Sequence, residues 1–123
     1  MVQGTVLLID SDDGFRTEAR RQLRRAGFVV FEASTGGEGL EVIGQIPAGL
    51  DAVVLNVDGP GVIDGELVAA IGTLQPASRV VVWSAEGEEN ARARVRGLKE
   101  AAFVDRRAGA GELAHALQGV RTR

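Results

Sequence analysis

The chain has 123 residues, 45% of them apolar, a formal net charge of −3 and no cysteine. That length suits one compact domain with a single core. The acidic balance excludes broad nucleic-acid binding, which needs a basic surface to neutralise phosphates, and the missing cysteines exclude disulfides, thiolate nucleophiles and Cys-based metal sites. No stretch of about 18 apolar residues is present to span a bilayer, and the opening MVQGTVLLIDSDD turns acidic too early for a secretory signal. The expected protein is therefore soluble and cytoplasmic, a single domain over residues 1–123.

In chain order, the first strand is expected at Thr5–Ile9 and is followed by a helix from Asp13 to about Ala26. Phe15, Ala19, Leu23 and Ala26 fall on one face of that helix, with Asp12 and Asp13 at its positive end, Arg24 and Arg25 at its negative end, and Gly27 as the stop. A second strand covers Phe28–Glu32. Thr35 and Glu38 then match a capping box for a helix reaching about Gln45. The third strand is Ala52–Asn56, and Asp64 can cap a helix carrying Leu67, Ala70, Ile71 and Leu74 at helical spacing. The fourth strand is Arg79–Ser84, followed by a helix over about Glu88–Glu100 that buries Ala91, Val95 and Leu98 and exposes Arg92, Arg94, Arg96 and Lys99. A fifth strand at Ala102–Asp105 precedes a helix over about Ala110–Arg121 with Leu113, Leu117 and Val120 inward.

Three of the strands, TVLLI, DAVVLN and RVVVWS, are apolar almost throughout, as expected where helices cover both faces of a parallel sheet. Strict alternation of strand and helix implies right-handed crossovers and an α/β sandwich of three layers. In such sheets ligands gather outside the carboxyl ends of the strands. That rule selects Asp10, Ser11 and Asp12 after the first strand, Asn56 to Asp58 after the third, Ser84 after the fourth and Arg106 after the fifth.

At those positions the chain resembles the receiver domain of two-component response regulators over nearly its whole length. The resemblance lies in an acidic turn after strand one, LNVDGPG at the end of strand three, a hydroxyl after strand four and the cation of FVDRR after strand five. It implies a flavodoxin-like (βα)5 sandwich with a five-stranded parallel sheet of order 2-1-3-4-5. It also implies phosphoryl transfer from a histidine kinase to an aspartate at the end of strand three. Two acidic residues after strand one help hold Mg²⁺, a Ser/Thr contacts the phosphoryl group and a lysine pairs with it, because the transferred negative charge must be offset.

This sequence departs from that pattern at three places. Asn56 stands where the phosphoacceptor belongs, and an amide cannot form an acyl phosphate. Asp10 matches the first of the acidic pair but Ser11 the second, which leaves Mg²⁺ to bind weakly at most, with Asp10 and Asp12 as its weak candidates. Arg106 takes the lysine position, and arginine is bulkier, planar and suited to bidentate acceptors. Ser84 matches the hydroxyl and Phe103 the aromatic switch.

Each residue also has a plain structural reading. Asn56 can be a strand-end amide bonded to Arg106 or to backbone, and Asp58 a turn residue with local hydrogen bonds. Asp12 and Asp13 can be helix-terminal charges, Ser84 a cap for the next loop, Phe103 and Trp83 sheet packing, and the arginines of the first and fourth helices solvated surface or docking sites. His115 lies opposite Leu113 and Leu117 without an acid nearby, so no base or phosphorelay role is expected.

The leading expectation is a phosphorylation-independent receiver without catalytic activity. Its expected partners are proteins: an output domain, to which the terminal GVRTR is compatible, a histidine kinase, another receiver, or a second copy. Docking is expected on the fourth helix, fifth strand and fifth helix around Phe103. One alternative is phosphorylation at a displaced carboxylate, Asp58, with weak Mg²⁺. Another is a small-molecule site in the strand-end crevice, with Arg106 and Arg107 meeting an anion.

Overall fold

The computed structural model describes residues 3–46, 49–59, 61–63, 65–75, 77–95 and 101–118. Five strands, β1 (Gly4–Ile9), β2 (Phe28–Ala33), β3 (Ala52–Asn56), β4 (Arg79–Ser84) and β5 (Ala102–Asp105), form one sheet in the order β2-β1-β3-β4-β5. Every neighbouring pair is parallel. Helices α1 (Asp13–Arg25), α2 (Gly36–Gln45), α3 (Gly65–Leu74), α4 (Glu88–Ala93) and α5 (Ala110–Leu117) alternate with the strands. The strand boundaries agree with the expected ones to within a residue.

The near-continuous apolar strands resolve into two cores. Leu7, Ile9, Val53, Leu55, Val80 and Val82 join Ile43, Leu67 and Ile71 on the α2–α3 side. Val6, Leu8, Val54, Val81 and Trp83 join Leu23, Leu113 and Leu117 on the α1–α5 side. This is the period-two alternation of a strand, with an apolar residue needed at every position because both faces are covered.

Local signals set the helix ends. The Asp12 side chain accepts the Phe15 N–H and Arg24 and Arg25 occupy the last turn of α1, satisfying a free N–H and both ends of the helix dipole. Gly27 follows the cap at φ 99°, the left-handed conformation in which glycine carries no Cβ penalty. Thr35 caps α2 through the Glu38 N–H, while the Glu38 carboxylate reaches the N–H and hydroxyl of Ser34 rather than closing the expected box on Thr35 alone.

Three expectations need correction. Phe15 shares the sheet-facing side of α1 with Ala19 and Leu23, its ring against the buried Trp83, but it is not buried as they are: it is 45% exposed. The fourth helix ends at Ala93, with Arg94 as its cap; Val95 is buried as expected, and the rest of the expected span, residues 96–100 with Arg96, Leu98 and Lys99, lies outside the described residues. The fifth helix ends at Leu117, where Gln118 turns to an extended backbone. The expected cap Asp64 and the expected core residue Val120 lie outside the described residues.

Gly39 is where α2 meets the sheet most closely: a Cβ there would stand 2.5 Å from Ile9 Cδ1 and 3.4 Å from Leu67 Cδ1, whereas one at Gly44, on the exposed side of the same helix, would meet nothing within 4 Å. Gly39→Val is therefore expected to cost about 1–3 kcal/mol through overpacking. Gly44→Ala should be neutral or stabilise by up to about 1 kcal/mol. Urea unfolding of the two variants checks the contrast.

Candidate functional site

The carboxyl ends of β1, β3, β4 and β5 bring Asp10, Asn56, Ser84 and Arg106 together with Asp58 of the β3–α3 loop. Asp10 is fully buried. Its Oδ1 accepts the Asp12 N–H at 2.9 Å and the Arg106 Nη2 at 3.2 Å. Its backbone carbonyl accepts Arg16 Nη1 at 2.7 Å. Burial pushes the Asp10 carboxyl up from its ordinary range, against the Asp12 N–H and the Arg106 charge, which pull it down.

Arg106 is the electrostatic centre. It is almost fully buried, ion-paired to Asp10 and placed 3.7 Å from Asp58 Oδ2. Its guanidinium lies 3.9 Å from the centroid of the Phe15 ring and 5.5 Å from that of Trp83. The two rings meet edge to face, 6.1 Å apart. Phe15 thus sits over a cation instead of entering the core, an interaction worth about 0.5–2 kcal/mol depending on desolvation. Helical periodicity cannot distinguish that role from core packing, because both place the aromatic on the sheet side of α1.

Asn56 is fully buried, and its Nδ2 donates to the Trp83 carbonyl at 2.8 Å, so the plain reading of a backbone-bonded amide holds with Trp83 rather than Arg106 as partner. Asn56 Oδ1 and Asp10 Oδ2 are buried acceptors without a hydrogen-bond donor among the described residues.

Among the described residues, the hydrogen bonds to Asp58 come mainly from across the crevice rather than from its own turn. Its Oδ1 accepts the Ser84 hydroxyl at 2.5 Å and its Oδ2 the Ala85 N–H at 2.8 Å. Ser84 Oγ also accepts the Glu86 N–H at 2.9 Å, so the hydroxyl caps its own loop while donating across the crevice. Burial alone would raise the Asp58 carboxyl. The bonds from Ser84, Ala85 and the Asn56 amide, with the Arg106 charge, outweigh it and hold the group below the usual carboxylate range.

Ser11 is exposed and is not among the residues that the crevice draws together; a Cβ at Gly59 would stand 2.1 Å from its Oγ, so the β3–α3 loop passes directly against it. Asp12 is used as the α1 cap. Phe103 is half-buried and packs on the α2–α3 side core, and His115 is exposed. Arginines read as solvated surface are largely engaged: Arg16 and Arg20 with Glu32, Arg92 with Glu88 and the Ala101 carbonyl, Arg94 with Glu86. Arg107 pairs with Asp105. Among the described residues, no group of three or more His, Asp or Glu side chains is placed to hold a metal ion, and no helix is long and apolar enough to cross a membrane.

Fold and crevice together define a doubly wound α/β domain whose polar groups cluster at the carboxyl ends of β1, β3, β4 and β5. Residues 6–118 match the model of the response regulator receiver domain, and the chain belongs to that family. It is 29% identical over 85 residues to the sensor kinase CckA of Brucella abortus (strain 2308), a match covering 69% of this chain and 9% of that protein's length. It is similar in fold to a response regulator receiver protein from Sinorhizobium medicae WSM419, with a TM-score of 0.79 at 20% identity over 95% of this chain and 93% of that one. A receiver domain protein from Clostridium thermocellum gives a TM-score of 0.79 at 21% identity over 98% and 95%.

Two outcomes are expected of this site. Arg106→Leu leaves the buried Asp10 carboxylate without its charge partner and should cost about 3–5 kcal/mol in urea unfolding at neutral pH. Arg106→Lys should cost less, keeping the charge but losing the planar fork. In the folded state Asp58 has a depressed pKa, so its contribution to stability is present above the unfolded carboxyl value of about 3.9 and is lost as pH falls through the folded value. The Ala85 amide resonance should accordingly stay constant from neutrality to the ordinary carboxylate range and move only below it.

Proposed function

We propose that this receiver domain signals without phosphorylation, by protein contact alone, and does so without enzymatic activity. The observation that carries this reading is Asn56. At the end of β3 the chain presents a buried carboxamide bonded to the Trp83 carbonyl, and a carboxamide offers no carboxylate oxygen from which a mixed anhydride could form.

The surrounding charges support the same reading. Mg²⁺ is a hard cation that demands oxygen ligands, usually one or two carboxylates. Here the Arg106 guanidinium already stands against Asp10 and Asp58, and a dication entering beside it would meet like charge. The donor set therefore does not fit the metal that the family's reaction uses. Phosphorylation at Asp58 is disfavoured because each of its oxygens is engaged, Oδ1 by Ser84 and Oδ2 by Ala85 and Arg106. A small-molecule anion in the crevice is disfavoured because Arg106 and Arg107 already have carboxylate partners.

Signalling then falls to the face of α4, β5 and α5, where Phe103 is half-buried and the flanking helices expose charged residues. Its partner is a protein: a histidine kinase, another receiver, an output domain or a second copy, in the cytoplasm. A receiver's two conformations can be biased by any ligand with different affinity for each, and a protein partner serves as well as a phosphoryl group.

Intact mass after incubation with acetyl phosphate and Mg²⁺ tests the reading. No adduct is expected on the wild-type chain, nor on Asn56→Asp, because Ser11 and Arg106 still differ from a phosphorylatable site. One phosphoryl group added to the wild-type chain would overturn it, and its mapping to Asp58 would establish the displaced acceptor instead.

A further inference from the structure

We propose that Ser84 Oγ, the Ala85 N–H and the Arg106 guanidinium form an oxyanion pocket whose resident ligand is the chain's own Asp58 carboxylate. This deepens the reading above, on which it rests, by assigning what fills the crevice when no phosphoryl group can.

Two hydrogen-bond donors and one cation converge on one carboxylate. The hydroxyl lies at 2.5 Å, the backbone N–H at 2.8 Å and the guanidinium at 3.7 Å. A hydroxyl, a fixed amide and a buried cation aimed at one point are the donor set that recognises any small oxyanion, carboxylate or phosphate alike. None of these bonds is a local turn bond: Asp58 is 26 and 27 positions from its hydroxyl and amide donors.

The donors do not depend on Asp58 for their placement. Ser84 is wholly buried and its oxygen accepts the Glu86 N–H at 2.9 Å, which leaves its proton to point at the carboxylate. Arg106 is held by Asp10 and stacked against Phe15. Removing Asp58 should therefore vacate a formed pocket rather than collapse it.

The clasp ties the β3–α3 loop to the first residue after β4. Because Asp58 begins two residues beyond Asn56, its carboxylate is delivered at the effective concentration of a short tether, at least about millimolar. Free anions at lower concentration are excluded. The β3–α3 and β4–α4 loops are thereby joined through the chain's own carboxylate.

The test uses Asp58→Ala with sodium acetate and inorganic phosphate as probes, against sodium chloride at matched ionic strength. In the variant the Ala85 amide resonance should move away from its wild-type position and return toward it as acetate or phosphate is added, and the melting temperature should rise with the added anion. Wild type should show neither response, with apparent affinity at least roughly tenfold weaker than the variant's, a gap of about 1.4 kcal/mol. Adding Ser84→Ala to the variant should abolish the response. Equal responses in wild type and variant, or an Ala85 resonance indifferent to both the substitution and the anion, would overturn the proposal. Should Asp58→Ala not fold, Ser84→Ala alone decides: the acid midpoint of the Ala85 amide must move up toward the ordinary carboxylate value, and an unchanged midpoint refutes the clasp. A phosphoryl adduct on the wild-type chain would sink the functional reading instead, so the two failures are distinguishable.

Discussion

One guanidinium holds the functional end of this domain together. Arg106, at the end of β5, pairs with Asp10 at the end of β1, stands 3.7 Å from Asp58 beyond β3, and is covered by Phe15 of α1 and Trp83 of β4. Five elements thus meet on a single buried cation. Taking a charge out of water costs several kcal/mol, and that cost is offset only where the partners are well placed. Two carboxylates around one arginine supply the placement, and the aromatic cover keeps water from screening it. The pair does not by itself argue for high stability, because a buried ion pair often breaks even against apolar packing; it does argue for one geometry, since the buried Asp10 carboxylate without the arginine would be an uncompensated charge.

Asn56 follows from that arrangement. A third carboxylate at the end of β3 would face Asp10 and Asp58 with only Arg106 to neutralise all three. A carboxamide in that place carries no charge and supplies an N–H that the Trp83 carbonyl can accept. A carboxylate in the same position would set acceptor against acceptor. The amide is thus matched to a crevice whose charge balance is set by a buried guanidinium between two carboxylates. An amide at the end of β3 and a guanidinium between two carboxylates are two aspects of one electrostatic arrangement.

Most of the fold was legible in the sequence because it rests on short-range signals. Apolar runs such as RVVVWS, the Asp12 and Thr35 caps and Gly27 at the end of α1 each fix an element by local chemistry, and alternation of strand and helix fixes the parallel sheet. Which residues lie near the crevice followed from the rule that polar groups collect at strand ends. What each side chain does there was less visible. Asp58 in a Gly-Pro-Gly turn has the composition of a locally bonded residue, and nothing within the turn reveals that its partners come from Ser84 and Ala85, on another strand. Phe15 matches the apolar stripe of α1, and only the placement of Arg106 from the far end of the chain makes it the cover of a cation. The early end of α4 also escaped the periodicity, since Val95 keeps the helical spacing and remains buried although the helix has already stopped at Ala93.

The clasp also sets what a partner must do. A domain with two arrangements of the β4–α4 loop is switched by whatever binds one arrangement better, and moving such an equilibrium from one side to the other requires about 5.5 kcal/mol of differential affinity. A covalent phosphoryl group can supply such a bias through a few charge-assisted bonds. On the proposed reading, a carboxylate built into the chain supplies its bias continuously, and the information left to transmit is whether a partner is present and which arrangement it prefers. A partner suited to the clasped loop would dock without distorting it. One suited to the other arrangement would have to break the bonds from Ser84 and Ala85 to Asp58 and leave that carboxylate to water or to Arg106 alone. The energetic asymmetry between those two encounters is written into the side chain of one residue, two positions beyond Asn56.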